Sequence, residues 1–119
     1  MFDKKVVIFG NNVVGTELTD FFRNHPRIKI LGVRPEPNDG GVDGWQKSLR
    51  KYCLEYQLPI LEWNNLNDEQ VLHQLRGWKP DFIFSFQCRA ILNKDLIEVP
   101  CEGVVNLHFS KLPKYRGCY

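Results

Sequence analysis

The stretch Lys4-Lys5-Val6-Val7-Ile8-Phe9-Gly10-Asn11-Asn12-Val13-Val14-Gly15 decides the fold. Lys4 to Phe9 is a short run rich in β-branched residues that stops at a glycine, the pattern of a buried strand. From Val13 to Arg23 the period changes. Val14, Leu18, Phe21 and Phe22 recur at helical spacing, and Asn24-His25-Pro26 ends the segment. The alternation then continues. Lys29 to Val33 reads as a second strand, and Arg34 to Gly44, rich in Pro, Asp and Gly, as a loop. Trp45 to Tyr56 has helical spacing through Leu49, Tyr52 and Tyr56, and Leu58 to Leu61 reads as a brief third strand. Asn67 is a helix N-cap, with Gln70 as its capping-box partner. Val71, Leu72 and Leu75 face inward, and Gly77 ends that helix. Asp81 to Phe86 is a fourth strand, Asn93 to Ile97 a short helix, and Gly103 to Leu107 a fifth strand. This order predicts an α/β fold with a Rossmann-like, doubly wound, mostly parallel sheet.

Composition agrees with that class. The chain has 119 residues, 43% hydrophobic and 25% charged, which suits one ordinary globular domain. Sixteen Lys and Arg against fourteen Asp and Glu give +2, too balanced to indicate nucleic acid. No apolar run approaches the roughly 20 residues of a membrane span, and the N-terminus has no signal-peptide core. A cytoplasmic protein without a membrane partner is expected. Cys53, Cys88, Cys101 and Cys118 show no C-x-x-C spacing and no zinc pattern with His25, His73 or His108, so no metal is expected. The cysteines are expected to be thiols, buried or half-buried. Trp45, Trp63 and Trp78 read as core or half-buried anchors. His25 reads as a helix-end cap, and His73 as solvent-facing.

Ligands of such sheets bind at the carboxyl ends of the strands. Those ends are Gly10-Asn11-Asn12, Arg34-Pro35, Ser85-Phe86-Gln87 and Asn106-Leu107-His108. The first lacks the middle glycine of G-x-G-x-x-G and the Lys-Ser/Thr of a P-loop. The second strand ends in Val33-Arg34, with no acidic residue for a ribose. Gly10 and Gly15 therefore read as a tight strand-to-helix turn, and a nicotinamide-dependent dehydrogenase is disfavoured. Asn11 and Asn12 still lie where they can hydrogen-bond a substrate.

The last segment, Val104-Val105-Asn106-Leu107-His108-Phe109-Ser110-Lys111-Leu112-Pro113-Lys114-Tyr115-Arg116-Gly117, carries the chemistry. Asn106 and His108, two apart on a strand, share a face. An amide donor and an imidazole side by side suit a developing oxyanion and proton transfer near neutral pH. No G-x-S-x-G elbow surrounds Ser110, so it reads as a loop hydroxyl rather than a nucleophile. Lys111, Lys114 and Arg116 form a basic cluster that either attracts anionic ligand groups or is a solvated loop.

The run Asn-Leu-His-x-Ser-x-Leu-Pro-Lys-Tyr-Arg-Gly at 106–117 resembles the signature of the formyltransferases that use 10-formyltetrahydrofolate. Lys79 to Ser85 is similar to the family's strand before its folate-contacting loop. The resemblance implies that a substrate amine attacks the formyl carbon, while Asn106 and His108 stabilise the oxyanion and His108 assists proton transfer. It implies that Phe86, Gln87, Cys88, Ile91 and Leu92 hold the pterin, largely through backbone. Asn11, Asn12, Arg89, Ser110 and Lys111 then lie on the substrate side. The family's catalytic aspartate, some tens of residues after the histidine, has no counterpart before Tyr119. The expectation is that residues 1–119 are the N-terminal part of the catalytic domain, inactive alone, with homodimerisation of a full-length form left open. A non-catalytic truncated remnant is the competing reading.

Three acceptors occur in the family: methionyl-tRNA, a glycinamide ribonucleotide, and an amino sugar on a nucleotide carrier. The tRNA branch usually reads His-Pro-Ser-Leu-Leu-Pro, whereas this chain has His108-Phe109-Ser110-Lys111-Leu112-Pro113. Its 34–44 loop carries Glu36, Asp39 and Asp43 against Arg34 alone, which disfavours an RNA backbone. The sequence resembles the sugar N-formyltransferases most.

Overall fold

The computed structural model describes residues 3–86, 88 and 90–107. Four strands, β1 (Lys4–Gly10), β2 (Ile28–Pro35), β3 (Phe82–Phe86) and β4 (Gly103–Leu107), form a sheet in the order β2-β1-β3-β4, with every pair parallel. Helices α1 (Asn12–Arg23), α2 (Leu49–Glu55), α3 (Glu69–Trp78) and α4 (Lys94–Ile97) connect them. The two-residue period of the strands sorts the core into two layers. Val6 and Ile8 of β1 join Leu49 and Cys53, with Val14, Leu18 and Phe22 of α1 packed alongside. Val7 and Phe9 point the other way, into Val71, Leu72, Leu75, Ile83 and Leu96. Helices thus cover both faces, as doubly wound topology requires.

Three sequence expectations are corrected. The third strand over Leu58 to Leu61 is a single parallel bridge between Ile60 and Val33. Its two hydrogen bonds, Val33 N to Pro59 O and Leu61 N to Val33 O, both 2.8 Å, follow the outer edge of β2 but extend no further. The second helix begins at Leu49 rather than Trp45, because the residues before it are captured by carboxylates. Asp43 accepts from Ser48 N at 2.9 Å, and Asp39 from Ser48 Oγ at 2.6 Å. Ser48 then caps the helix, accepting from Lys51 N at 3.0 Å. Trp45 is left 93% exposed instead of anchoring the core. The third helix is capped by Asp68, one residue after Asn67, through a 2.9 Å bond from Gln70 N. It runs through Gly77 and stops at Lys79, whose φ of 52° is left-handed, with Pro80 next in the chain.

Most other expectations hold. Trp63 and Trp78 are half-buried and stack with centroids 5.9 Å apart. His73 is exposed, but His25 does not cap the helix: Asn24 is the C-cap of α1, and His25 Nδ1 accepts from Arg27 N at 3.2 Å in the turn beyond it. Cys53 is buried and Cys88 half-buried, but Cys101 is exposed; all three are free thiols. Burial pushes the Cys53 thiol up to about 12. Among the described residues no helix is long and apolar enough to cross a membrane.

Candidate functional site

Strand register locates the site. Gly10 pairs with Pro35 on one side and Phe86 on the other, and Phe86 pairs with Leu107. The carboxyl ends of all four strands therefore lie in one row across the sheet. The chain steps from β1 outward to β2, then returns past β1 to β3. The crevice beyond Gly10 and Phe86 is thus the switch point at which open α/β sheets bind ligands.

The glycines beside it serve packing. A Cβ on Gly10 would lie 2.8 Å from Leu49 Cδ2, and one on Gly15 would lie 3.3 Å from Gly10 backbone. The turn is tight because β1 and the first turn of α1 nearly touch. Asn12 enters the helix with a φ of 58°, a conformation Asn tolerates better than most residues. Asn11 occupies the N-cap position, but its side chain makes no capping bond. Both asparagines line a groove of about 410 Å³, together with Asp39, Trp45 and Ser48.

Phe86 could meet a ligand through its backbone alone. Its ring is fully buried on the α1 side, stacked 6.0 Å from Phe22. Cys88, Ala90 and Leu92 lie in the opposite layer, packed on the Leu72–Leu75 core. Ile91 points outward, 85% exposed. Cys88, Ala90 and Leu92 thus form a half-buried apolar floor, a surface that fits a flat heterocycle. Burial holds the Cys88 thiol above its ordinary pKa, against the smaller opposing pulls of the Ala90 backbone, Arg34 and the Ser85 hydroxyl.

Asn106 lies on that same face. It pairs with Ser85, two residues past Ile83, and stands two past Val104, which packs on the same core layer. Asn106 is exposed at the carboxyl end of β4, so its amide is free to meet a ligand there. His108, Gln87, Arg89, Ser110, Lys111, Lys114 and Arg116 lie outside the described residues.

Two features of the site were not foreseen. Arg34, expected at the ligand edge, is 2% exposed and tied down. It donates to Glu36 Oε2 at 2.7 Å, Trp63 O at 2.8 Å and Asn64 O at 3.2 Å, and approaches Cys88 Sγ at 3.9 Å. Two of the three acidic residues of the 34–44 loop are paired with a cation, and the third is held by uncharged donors. Glu36 is buried against Arg34, Asp39 is engaged by the Ser48 hydroxyl and the Arg50 backbone amide, and Asp43 meets Lys51 at 3.0 Å. The second feature is Asn67, which reaches across to the 88–92 segment instead of capping α3.

Comparison with known proteins agrees with this geometry. The family model described as formyl transferase matches residues 5–119. The bifunctional polymyxin resistance protein ArnA of Wigglesworthia glossinidia brevipalpis is 44% identical over 92 residues, covering 76% of this chain and 14% of that protein. A methionyl-tRNA formyltransferase of Fusobacterium nucleatum is 27% identical over 114 residues, covering 95% of this chain and 37% of that protein. The chain thus spans well under half the length of these relatives. A solved structure of WlaRD, a sugar 3N-formyl transferase in the presence of dTDP and 5-N-formyl-THF, is 26% identical. It covers 92% of this chain and 36% of its own, with a TM-score of 0.57. With a match over nearly its whole length and the doubly wound sheet such a match entails, the chain belongs to the formyl transferase family.

Proposed function

We propose that this chain forms the donor side of an enzyme that transfers a formyl group from 10-formyltetrahydrofolate to the amine of a nucleotide-linked amino sugar. The observation that carries the reading is the shared face of Asn106 and the 88–92 segment at the switch point of the sheet. The residues fit the donor: Cys88, Ala90 and Leu92 pack as a partly buried apolar floor, which suits a flat pterin.

The folate supplies an activated formyl carbon. Asn106 donates its side-chain amide to the formyl oxygen as charge develops there, which a preorganised donor stabilises far better than water does. His108 assists as a second donor and moves the proton released by the attacking amine. Asn11 and Asn12, with Arg89, Ser110 and Lys111, meet the acceptor. The family resemblance implies an aspartate that orients the imidazole; residues 109–119 hold no aspartate, and without one no turnover is expected.

For the acceptor, the sugar reading is supported by the likeness to WlaRD and by Phe109 and Lys111 at positions where the tRNA branch usually has Pro and Leu. The likeness to a methionyl-tRNA formyltransferase supports the second reading. The test is a transfer assay read by product mass. This chain, and the same gene expressed through to its natural stop codon, receive 10-formyltetrahydrofolate with nucleotide-linked amino sugars, methionyl-tRNA or glycinamide ribonucleotide. The expected result is a gain of one formyl mass on a sugar, and only with the longer protein. Product on methionyl-tRNA alone would overturn the sugar assignment. Product from the 119-residue chain would overturn its dependence on the missing aspartate.

A further inference from the structure

Resting on the donor-site reading above, we infer that Asn67 is a positioning residue for the donor, clamping the exit of the 88–92 segment in its folate-binding shape. Its Nδ2 donates to the carbonyl of Ile91 at 2.8 Å, and its Oδ1 accepts from the amide of Asn93 at 3.0 Å. One planar carboxamide thus makes two hydrogen bonds to backbone groups two residues apart, as a neighbouring peptide unit would. The segment holds its exit through a side chain 24 and 26 residues away in sequence.

Both ends of the clamp are rigidly mounted. Leu66, just before Asn67, is 1% exposed in the core, and Asp68, just after it, caps α3. On the far side, Asn93 caps α4, accepting from Leu96 N at 3.4 Å, and Leu96 is fully buried. The entry of the segment is braced separately, where Cys88 rests on the core beside Arg34. A free amide cap at Asn67 would have served α3 equally well, yet the chain uses Asp68 for that and leaves Asn67 to the loop. The carbonyl it fixes belongs to Ile91, the exposed residue at the mouth of the proposed donor floor. Fixing it selects the ligand-ready backbone before the ligand arrives. If the clamp is cut, the competent shape is only partly populated, and apparent affinity falls by that fraction.

The test titrates the protein expressed through to its natural stop codon with 5-formyltetrahydrofolate by calorimetry, in wild type, Asn67→Ala, Asn67→Asp and Asp68→Ala. Asn67→Asp keeps the acceptor for Asn93 but sets a carboxylate oxygen against the Ile91 carbonyl. Thermal unfolding and amide hydrogen exchange are followed in each. The expected result is a dissociation constant raised about 5–20-fold in both Asn67 variants, from a competent population reduced to the reciprocal of that factor. Exchange at Asn93 is faster and exchange in α3 is unchanged. Asp68→Ala, which weakens the helix cap, lowers the melting temperature without changing affinity. If wild type binds and the Asn67 variants bind equally well, the clamp inference fails while the donor site stands. If affinity falls only in step with melting temperature, including in Asp68→Ala, Asn67 is merely structural and the inference fails. If wild type binds no folate, the donor-site reading fails and takes the inference with it.

Discussion

Replacing Arg34 by Met tests how the floor of the site is held. The guanidinium and the Glu36 carboxylate are both nearly inaccessible, at 3% and 5% side-chain exposure, and 2.7 Å apart. Arg34 also donates to the carbonyls of Trp63 and Asn64. Methionine fills similar volume but strips the guanidinium from Glu36 and removes both carbonyl donors. Removing one partner of a buried pair costs about 3–5 kcal/mol, because the remaining charge stays desolvated. Each lost carbonyl bond adds about 1 kcal/mol at most, since water can reach part of the vacated edge. The variant should lose about 3–7 kcal/mol, a large share of the roughly 5–15 kcal/mol that typically stabilises a domain. The double variant Arg34→Met/Glu36→Leu removes the buried charge as well, and should lose about 2 kcal/mol or less. Urea unfolding at pH 7 measures both. With a slope of about 1–3 kcal/mol/M, the single variant's midpoint falls by roughly 1 M or more. A loss below about 1 kcal/mol in the single variant, or an equal loss in the double, would refute the argument.

Two further predictions concern packing and titration. Gly32→Ala places a Cβ 2.8–2.9 Å from three atoms of the buried Leu61 side chain, and should cost about 1–3 kcal/mol by overpacking. Gly77→Ala meets nothing within 4 Å on α3, and should gain about 0.5–1 kcal/mol; denaturant unfolding of the pair should show opposite signs. The buried Cys53 thiol has its pKa raised from 9.0 to about 12, so the native state keeps its proton where the unfolded state loses it. That difference removes stability as pH rises from about 9 towards 12, by at most about 1.4 kcal/mol per pH unit. Thermal melts across pH 8–11 should fall less steeply in Cys53→Val, and equal slopes would contradict the assignment.

The sheet was legible because its signal is local. Val6 to Phe9 and Asp81 to Phe86 are apolar runs with turn residues at their ends, and burial on both faces makes such runs unambiguous. The location of the site followed from topology. What escaped the sequence depended on partners distant along the chain. Asn67 and Asp68 are both good caps, and only the carbonyl of Ile91 and the amide of Asn93 decide which one caps. Arg34 and Glu36, flanking a proline in a polar stretch, look solvated until the 63–64 turn closes over them. Trp45 is exposed because Asp39 and Asp43 take the backbone and hydroxyl of Ser48, so the helix starts four residues later than its apolar spacing suggests. Gly77 carries a stop signal, yet it has no conformational duty there, and the left-handed residue is Lys79.

The account's central claim is that Asn106, on the face shared with the 88–92 segment, stabilises the charge that develops during formyl transfer. The most direct test is Asn106→Ala in the protein expressed through to its natural stop codon, comparing turnover with affinity for 5-formyltetrahydrofolate. Because Asn106 is exposed, folding should be intact. The account predicts that kcat falls by about 10²–10³ while folate affinity and melting temperature stay at wild-type values. Unchanged turnover, or a loss that lies wholly in folate binding, would contradict it.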